Sequence, residues 1–133
     1  MIIEKDDVMP VDSSESVVRV RQEVRARAVA VGLTLVDQTK IITAASELAR
    51  NTVIYGGGGT LRLQIVQNGR RGVRLIFEDK GPGIADIERA LTDGYTSGGG
   101  LGLGLGGAKR LSNEFDITSE PGKGTTITLV RWK

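Results

Sequence analysis

Two alternating apolar runs separated by a short glycine-containing turn constrain the fold of this chain more than any other feature. The runs occupy residues 61–66 and 73–78, and their side chains alternate between apolar and polar types, as in strands with one buried face. Asn68 and Gly69 lie between them, and this dipeptide favours the tight turn of a β-hairpin. The centre of the chain is therefore predicted to be an antiparallel pair of strands.

Two segments with helical periodicity precede this hairpin, and further predicted helices and strands follow it. Apolar residues recur every three or four positions in residues 14–31 and 36–55, and the glycines at 56–59 would end the second helix. The stripe of that helix predicted to be buried comprises Ile41, Ala44, Ala45, Leu48, Thr52 and Tyr55. The other predicted elements are an edge strand at 1–9 that ends before Pro10, helices at 84–91 and 103–111, and strands at 116–119 and 125–132.

This grouping of helices with hairpin-connected strands predicts the fold class. We expect an α/β (α+β) two-layer sandwich whose helices pack on one face of a mixed, mostly antiparallel sheet. A chain of 133 residues is long enough to bury one core, so residues 1–133 are expected to form a single domain.

Composition excludes several classes of function. The chain has no histidine and no cysteine, which excludes a Ser-His-Asp triad, histidine-ligated zinc, thiolate metal sites and disulfides. The net charge of +2 is too small to indicate nucleic-acid binding. No segment approaches the roughly 20 apolar residues of a membrane span, and the N-terminus does not resemble a signal peptide. A cytoplasmic protein without nucleic-acid or membrane partners is expected.

The first predicted helix carries a cluster of basic residues: Arg19, Arg21, Arg25 and Arg27. One interpretation is a solvated helix face, with Glu23 and Arg27 paired at i,i+4. The other is a patch for docking a partner.

Glu47 and Asn51 lie four residues apart on the second predicted helix, so both side chains project from the same face. A carboxylate and an amide in that arrangement can orient a hydroxyl group or water and can ligate Mg²⁺ through oxygen. Alone, the pair is far more typical of a solvated helix face.

Asp79 directly follows a predicted buried strand and begins the segment Asp-Lys-Gly-Pro-Gly. A carboxylate at that position can accept a hydrogen bond from the exocyclic amine of a base. Gly81 and Gly83 would allow the backbone to approach a ligand closely. The alternative is an ordinary turn at the end of a strand.

A glycine run at 98–107 leads into the predicted helix at 103–111. Consecutive backbone N–H groups next to a helix favour an anion, whereas the alternative is a flexible lid that binds nothing. The interleaved leucines, Leu103 among them, argue against pure flexibility. The run contains a Gly-x-Gly-x-x-Gly match, which we discount because it follows a loop rather than a strand.

A final motif, Gly124-Thr125, precedes the last predicted strand and alone would indicate only a hairpin turn. The four motifs are largely independent of one another. Their occurrence in this order within about eighty residues favours a nucleotide site.

On these motifs the chain resembles the GHKL (Bergerat-fold) ATPase and kinase superfamily. Within it, the chain is similar to the anti-sigma-factor-type serine/threonine kinases, and particularly to stressosome switch kinases of the RsbT type. The segments that carry this likeness are 78–84 (EDKGPGI), 91–96 (LTDGYT), 99–105 (GGLGLGL) and 108–111 (AKRL).

The resemblance implies a role for each motif. Glu47 would be the catalytic general base toward the acceptor hydroxyl, and Asn51 would ligate Mg²⁺. Asp79 would accept from the adenine amine, supported by Thr125. The remaining nucleotide-binding residues implied are Gly81, Gly83, Gly98, Gly100, Gly102, Leu103 and Gly104. No lysine or arginine lies within the glycine run, so phosphate charge would be met by Mg²⁺, backbone N–H groups or the neighbouring Lys109 and Arg110.

The function implied is a serine/threonine protein kinase that uses Mg²⁺·ATP to phosphorylate a STAS-domain antagonist or scaffold. Such a kinase then switches partner and activates a PP2C-type phosphatase in a bacterial stress pathway. The alternative is an anti-sigma factor or an ATP-dependent binding module with little kinase activity. The ATP-binding end of a histidine kinase is disfavoured because no histidine is present, and a gyrase- or Hsp90-like ATPase because no transducer domain is seen.

Overall fold

The computed structural model describes residues 1–91 and 104–133, which form four helices and five strands. The strands are β1 (Ile2–Val11), β2 (Gly59–Gln67), β3 (Arg71–Asp79), β4 (Glu114–Glu120) and β5 (Gly124–Trp132). The helices are α1 (Ser14–Val31), α2 (Leu35–Ile54), α3 (Ile87–Ala90) and α4 (Gly104–Arg110). Gly98, Gly100, Gly102 and Leu103, which the resemblance assigns to nucleotide binding, lie outside the described residues.

The strands form one sheet in the order β1-β2-β3-β5-β4. All four pairings of neighbouring strands are antiparallel, whereas a mixed, mostly antiparallel sheet was expected. The predicted hairpin is confirmed: β2 and β3 pair with Leu63 opposite Leu75, and Gly69 takes a positive φ of 77° in the turn. Asp79, the last residue of β3, pairs with Gly59 on one side and Thr125 on the other.

Helices α1 and α2 cover one face of the sheet and enclose the main core, so the predicted two-layer sandwich is confirmed. Alternate residues of β2 and β3, such as Leu63 and Leu75, point into this core. Ser13 caps α1 by accepting a hydrogen bond from the Ser16 backbone N–H at 3.2 Å, and Gly32 ends the helix with a φ of 90°. A helix layer over a half-buried antiparallel sheet is the arrangement that hides both apolar surfaces.

Three details differ from the expectations. Strand β1 continues through Pro10, which pairs with Thr60, because β1 is an edge strand and a missing N–H is tolerated where only one side of the strand is paired. Helix α3 has four residues rather than the eight expected at 84–91. Tyr55 is 38% exposed and stands just beyond the C-terminus of α2, whereas the other members of the predicted stripe are buried.

The arginine cluster also departs from a uniformly solvated face. Arg27 is buried, and its guanidinium contacts the Glu23 carboxylate at 2.7 Å and the Asp7 carboxylate at 2.8 Å. The predicted i,i+4 pair therefore exists, but it forms part of a link between α1 and β1. Arg19, Arg21 and Arg25 are exposed. In the described residues, no helix is both long and apolar enough to cross a bilayer.

Candidate functional site

A cavity of about 400 Å³ lies where the end of β3 and the start of β5 meet the C-terminal end of α2. Its size falls in the range of small-molecule sites, and its wall is mainly apolar with a few polar groups. The lining residues are Asn51, Thr52, Tyr55, Gly56, Phe77, Asp79, Pro82, Gly83, Ile84, Ala85, Asp86, Arg89, Ala90, Leu105, Thr125 and Ile127. The structure thus brings together Asn51, Asp79, Gly83 and Thr125, which come from three separate sequence motifs.

Asp79 is held in one orientation by two glycines. Its Oδ1 accepts a hydrogen bond from the Gly81 backbone N–H at 2.9 Å. Its carboxylate packs against Gly56, where an added Cβ would stand 2.5 Å from the Asp79 Cγ and 2.6 Å from its Oδ2. The carboxylate is therefore fixed before any ligand arrives, with hydrogen-bond acceptors at the cavity wall.

Gly81 and Gly83 are required by the protein's own packing. A Cβ on Gly81 would stand 2.7 Å from the Gly56 Cα. Gly83 has a φ of 76°, and a Cβ there would overlap the carbonyl oxygen of Glu120. These glycines were predicted to let the backbone approach a ligand. In the structure they let the segment after β3 pack closely against Gly56 and Glu120. Gly83 also lines the cavity.

Thr125 belongs to a hydroxyl network beside the cavity. Its Oγ1 lies 2.8 Å from the Oγ of Ser119 on the adjacent strand β4. The Ser119 Oγ also accepts a hydrogen bond from the Ile84 backbone N–H at 2.7 Å and lies 3.1 Å from the Gly124 carbonyl oxygen. Sequence reasoning missed Ser119, because its relation to Thr125 appears only once β4 and β5 are paired.

Glu47 stands one helical turn before Asn51 on α2 and is not among the cavity-lining residues. Its side chain is 16% exposed, and its Oε1 lies 3.3 Å from the guanidinium of Arg50. The predicted pair therefore divides: the amide of Asn51 faces the cavity, and the carboxylate lies next to it along the helix.

Of the glycine run, the described part begins at Gly104, the first residue of α4, which has a φ of 63°. The next residue, Leu105, is buried and lines the cavity, so α4 forms part of its wall. Lys109 and Arg110 lie in the last turn of α4.

The donor set fits Mg²⁺ bound chiefly through a nucleotide. Among the residues described, no cluster of three or more carboxylates is placed to hold a metal ion. Mg²⁺ commonly binds through one or two protein oxygens together with substrate phosphates and water. The amide oxygen of Asn51 at the cavity wall can serve as such a ligand.

Sequence reasoning also missed the apolar wall. Phe77 and Ile127 line the cavity from the core-facing side of β3 and β5, and Tyr55 and Ile84 contribute from the adjoining loops. Phe77 and Ile127 belong to the alternating pattern of buried residues in β3 and β5. That pattern predicts that a side chain is buried, but it does not show whether the side chain faces the packed core or a cavity. The wall offers apolar surface to a planar ligand, while Asp79 and Thr125 offer polar atoms at its edge.

Comparisons with known proteins agree with this geometry. The family model for histidine kinase-, DNA gyrase B-, and HSP90-like ATPases matches residues 36–133. Serine/threonine-protein kinase RsbT of Bacillus subtilis is 45% identical over 117 residues, which span 87% of this chain and 88% of that protein. An anti-sigma F factor of a Thermoanaerobacter species is 28% identical over 117 residues, spanning 84% and 82%.

A solved structure shares the fold. The crystal structure of the RsbU and RsbW domains of a Mycobacterium tuberculosis protein matches with a TM-score of 0.67 at 24% identity. The match covers 96% of this chain and 32% of that chain.

Proposed function

This chain belongs to the family of histidine kinase-, DNA gyrase B-, and HSP90-like ATPases and to its RsbT-like serine/threonine protein kinases, and we propose that it phosphorylates a STAS-domain antagonist or scaffold protein with Mg²⁺·ATP. The observation that carries this proposal is that residues of three separate motifs line one cavity. We further propose that residues 1–133 act as one kinase domain.

The nucleobase is assigned to the apolar part of the cavity. There, the Asp79 carboxylate accepts from the amine of adenine, and Thr125, its partner across the β3–β5 pairing, supports that contact. Gly81 and Gly83 maintain this arrangement by allowing the segment after β3 to pack closely. Orientation of this kind accounts for much of what a protein contributes to phosphoryl transfer.

The phosphates are assigned to the side of the cavity formed by α2 and α4. Asn51 would hold Mg²⁺, and Gly104 would contact phosphate together with Gly98, Gly100, Gly102 and Leu103 of the glycine run. Bound Mg²⁺ would neutralise phosphate charge. Glu47 lies beside the cavity rather than in its wall, which supports a role toward the protein acceptor rather than toward the nucleobase.

We propose that after phosphorylation the chain changes partner and activates a PP2C-type phosphatase in a bacterial stress-signalling pathway. Support comes from the similarity to RsbT. We place this activity in the cytoplasm, where ATP is available.

An alternative function is an anti-sigma factor in which bound ATP chiefly sets the conformation that holds a partner. The similarity to an anti-sigma F factor over 84% of the chain favours this candidate. In that case nucleotide binding would remain, and phosphate transfer would be slow.

The two candidates are separated by a transfer assay. The chain is incubated with radiolabelled Mg²⁺·ATP and STAS-domain proteins of the same genome, and labelled protein is quantified. Glu47→Gln should lower transfer at least about 100-fold and leave ATP affinity within about twofold, because a general base acts on the acceptor hydroxyl. Asp116→Asn, an exposed carboxylate on β4, is the matched control and should behave as the parent.

Each outcome has a defined meaning. If Glu47→Gln transfers phosphate at the parent rate, Glu47 is not the general base. ATP binding without transfer to any STAS-domain protein favours the anti-sigma function. A folded parent that neither binds nor transfers contradicts both candidates.

A further inference from the structure

Ser119 occupies a position where one hydroxyl group has three polar neighbours. Its Oγ accepts from the Ile84 N–H at 2.7 Å, lies 3.1 Å from the Gly124 carbonyl oxygen and lies 2.8 Å from the Thr125 Oγ1. Ser119 does not line the 400 Å³ cavity, whereas Ile84 and Thr125 both do. Ile84 and Thr125 are therefore the direct contacts through which Ser119 can act on a ligand in this cavity.

The hydrogens of this network can be assigned by counting donors and acceptors. A hydroxyl group has one hydrogen and accepts at two lone pairs. The Gly124 carbonyl can only accept, so it takes the hydrogen of Ser119. The Ser119 oxygen then accepts from the Ile84 N–H and from the Thr125 hydroxyl, and all three neighbours are satisfied.

This assignment fixes the chemical character of Thr125 toward the cavity. Because its hydrogen points to Ser119, the Thr125 oxygen presents only lone pairs to a ligand. The neighbouring Asp79 carboxylate also only accepts. Where both acceptors face position 6 of a purine, they favour an amino group there, which has two hydrogens to donate, and disfavour a keto oxygen.

We propose that Ser119 is a positioning residue that sets nucleobase specificity by keeping the Thr125 hydroxyl turned away from the cavity. This inference rests on the proposed function, in which the base lies against Asp79 and Thr125. In the absence of the Ser119 hydroxyl, Thr125 can rotate and donate its hydrogen to a keto oxygen, so discrimination between the two kinds of base falls.

The test compares two nucleotides that differ at this edge. ATP carries an amino group at position 6 of the purine, and inosine triphosphate carries a keto oxygen there. Their dissociation constants are measured by calorimetry for the parent, Ser119→Ala and Ser119→Thr. The ratio of the two dissociation constants is the readout, because a loss of packing alone would weaken the binding of both nucleotides to the same extent.

The parent should prefer ATP, and Ser119→Ala should reduce that preference about tenfold, the effect of one hydrogen bond exchanged for another. Ser119→Thr keeps the hydroxyl and should retain the preference. If Ser119→Ala does not fold, Ser119→Cys carries the same prediction, because a thiol is a weak donor and acceptor.

A preference unchanged within twofold in Ser119→Ala or Ser119→Cys overturns the inference while leaving the proposed function intact. A folded parent that binds neither nucleotide instead contradicts the proposed function. If the parent binds both nucleotides equally, Asp79 and Thr125 do not discriminate between an amino group and a keto oxygen, which also overturns the inference.

Discussion

Single residues in the cavity wall have roles set by their immediate neighbours, and Gly56 is the clearest case. A side chain at this position would meet the Asp79 carboxylate 2.5 Å from its Cγ. Gly56→Ala should therefore turn Asp79 out of its orientation and weaken ATP binding about tenfold or more, since a hydrogen bond to a charged group is lost. Calorimetric titration with ATP measures this change.

The matched control for Gly56→Ala is Gly57→Asn. Gly57 has no atom within 4 Å of its ideal Cβ, and asparagine tolerates its φ of 72° better than most residues. The control should bind ATP within about twofold of the parent. Equal ATP affinity in Gly56→Ala would remove Gly56 from the support of Asp79.

At the residue scale, the sequence indicated several side chains that lie near the site but not the neighbours that each of them contacts. Asp79 and Thr125 were expected in one site, and both line the cavity. Tyr55 was expected in the core because it continues the period of α2, but the helix ends at Ile54 and Tyr55 remains partly exposed. Ser119 carried no local signal, since its partners come from β5 and from the segment after β3.

Among the elements, a partly buried ion pair links the start of α2 to β5. The guanidinium of Arg131 contacts the Asp37 Oδ1 at 2.7 Å and the Leu111 carbonyl oxygen, just after α4, at 3.3 Å. Their side chains are 14% and 26% exposed. Arg131 therefore connects β5 to the start of α2 and to the residue that follows α4.

The hydrogen bond from Arg131 is the main reason why the pKa of Asp37 lies below its ordinary value of 3.8. The folded state therefore binds this proton more weakly than the unfolded chain does. The stabilisation is fully present above the ordinary pKa and is lost as the pH falls through the folded pKa. Asp37 thus contributes stability at neutral pH and not in strong acid.

Asp37→Asn should lower the free energy of unfolding by about 0.5 to 1 kcal/mol at pH 7, because a charge-assisted hydrogen bond that is partly screened by solvent is replaced by a neutral one. The difference from the parent should shrink as the pH falls below 3.8. Urea unfolding at several pH values measures both. Glu120→Gln breaks an exposed pair with Lys123 and should cost less than about 0.5 kcal/mol. A difference that does not change with pH would contradict the role of the Asp37 charge.

The elements themselves were largely predictable because most carry strong local periodicity. Helices α1 and α2 and the β2–β3 hairpin lie close to their predicted bounds. The edge position of β1 was predicted correctly, but its end was wrong because proline was taken as a break, although an edge strand tolerates the missing N–H. Helix α3 was predicted too long: it begins only at Ile87, after the Asp86 N-cap, and Ile84 and Ala85 line the cavity ahead of it.

At the scale of the whole molecule, the cavity exists only when distant parts of the chain are assembled. Its wall combines residues from α2, β3, the segment around α3, α4 and β5. The pairing of Asp79 in β3 with Thr125 in β5, for example, brings together two residues that are far apart in the sequence. Of the residues that the motifs named, the assembled sheet and helices bring Asn51, Asp79, Gly83 and Thr125 to this cavity, and its shape could not be predicted without them.

Because unfolding destroys such a site, bound nucleotide should stabilise the entire fold. ATP·Mg²⁺ at 100 times its dissociation constant contributes about 2.7 kcal/mol, which for a domain of this size raises the melting temperature by roughly 8 to 10 °C. Scanning calorimetry should show one transition that moves as a whole. At the same ATP concentration, Asp79→Asn should shift much less, because its affinity is reduced. A second transition unaffected by ATP would mean that part of the chain unfolds independently of the site.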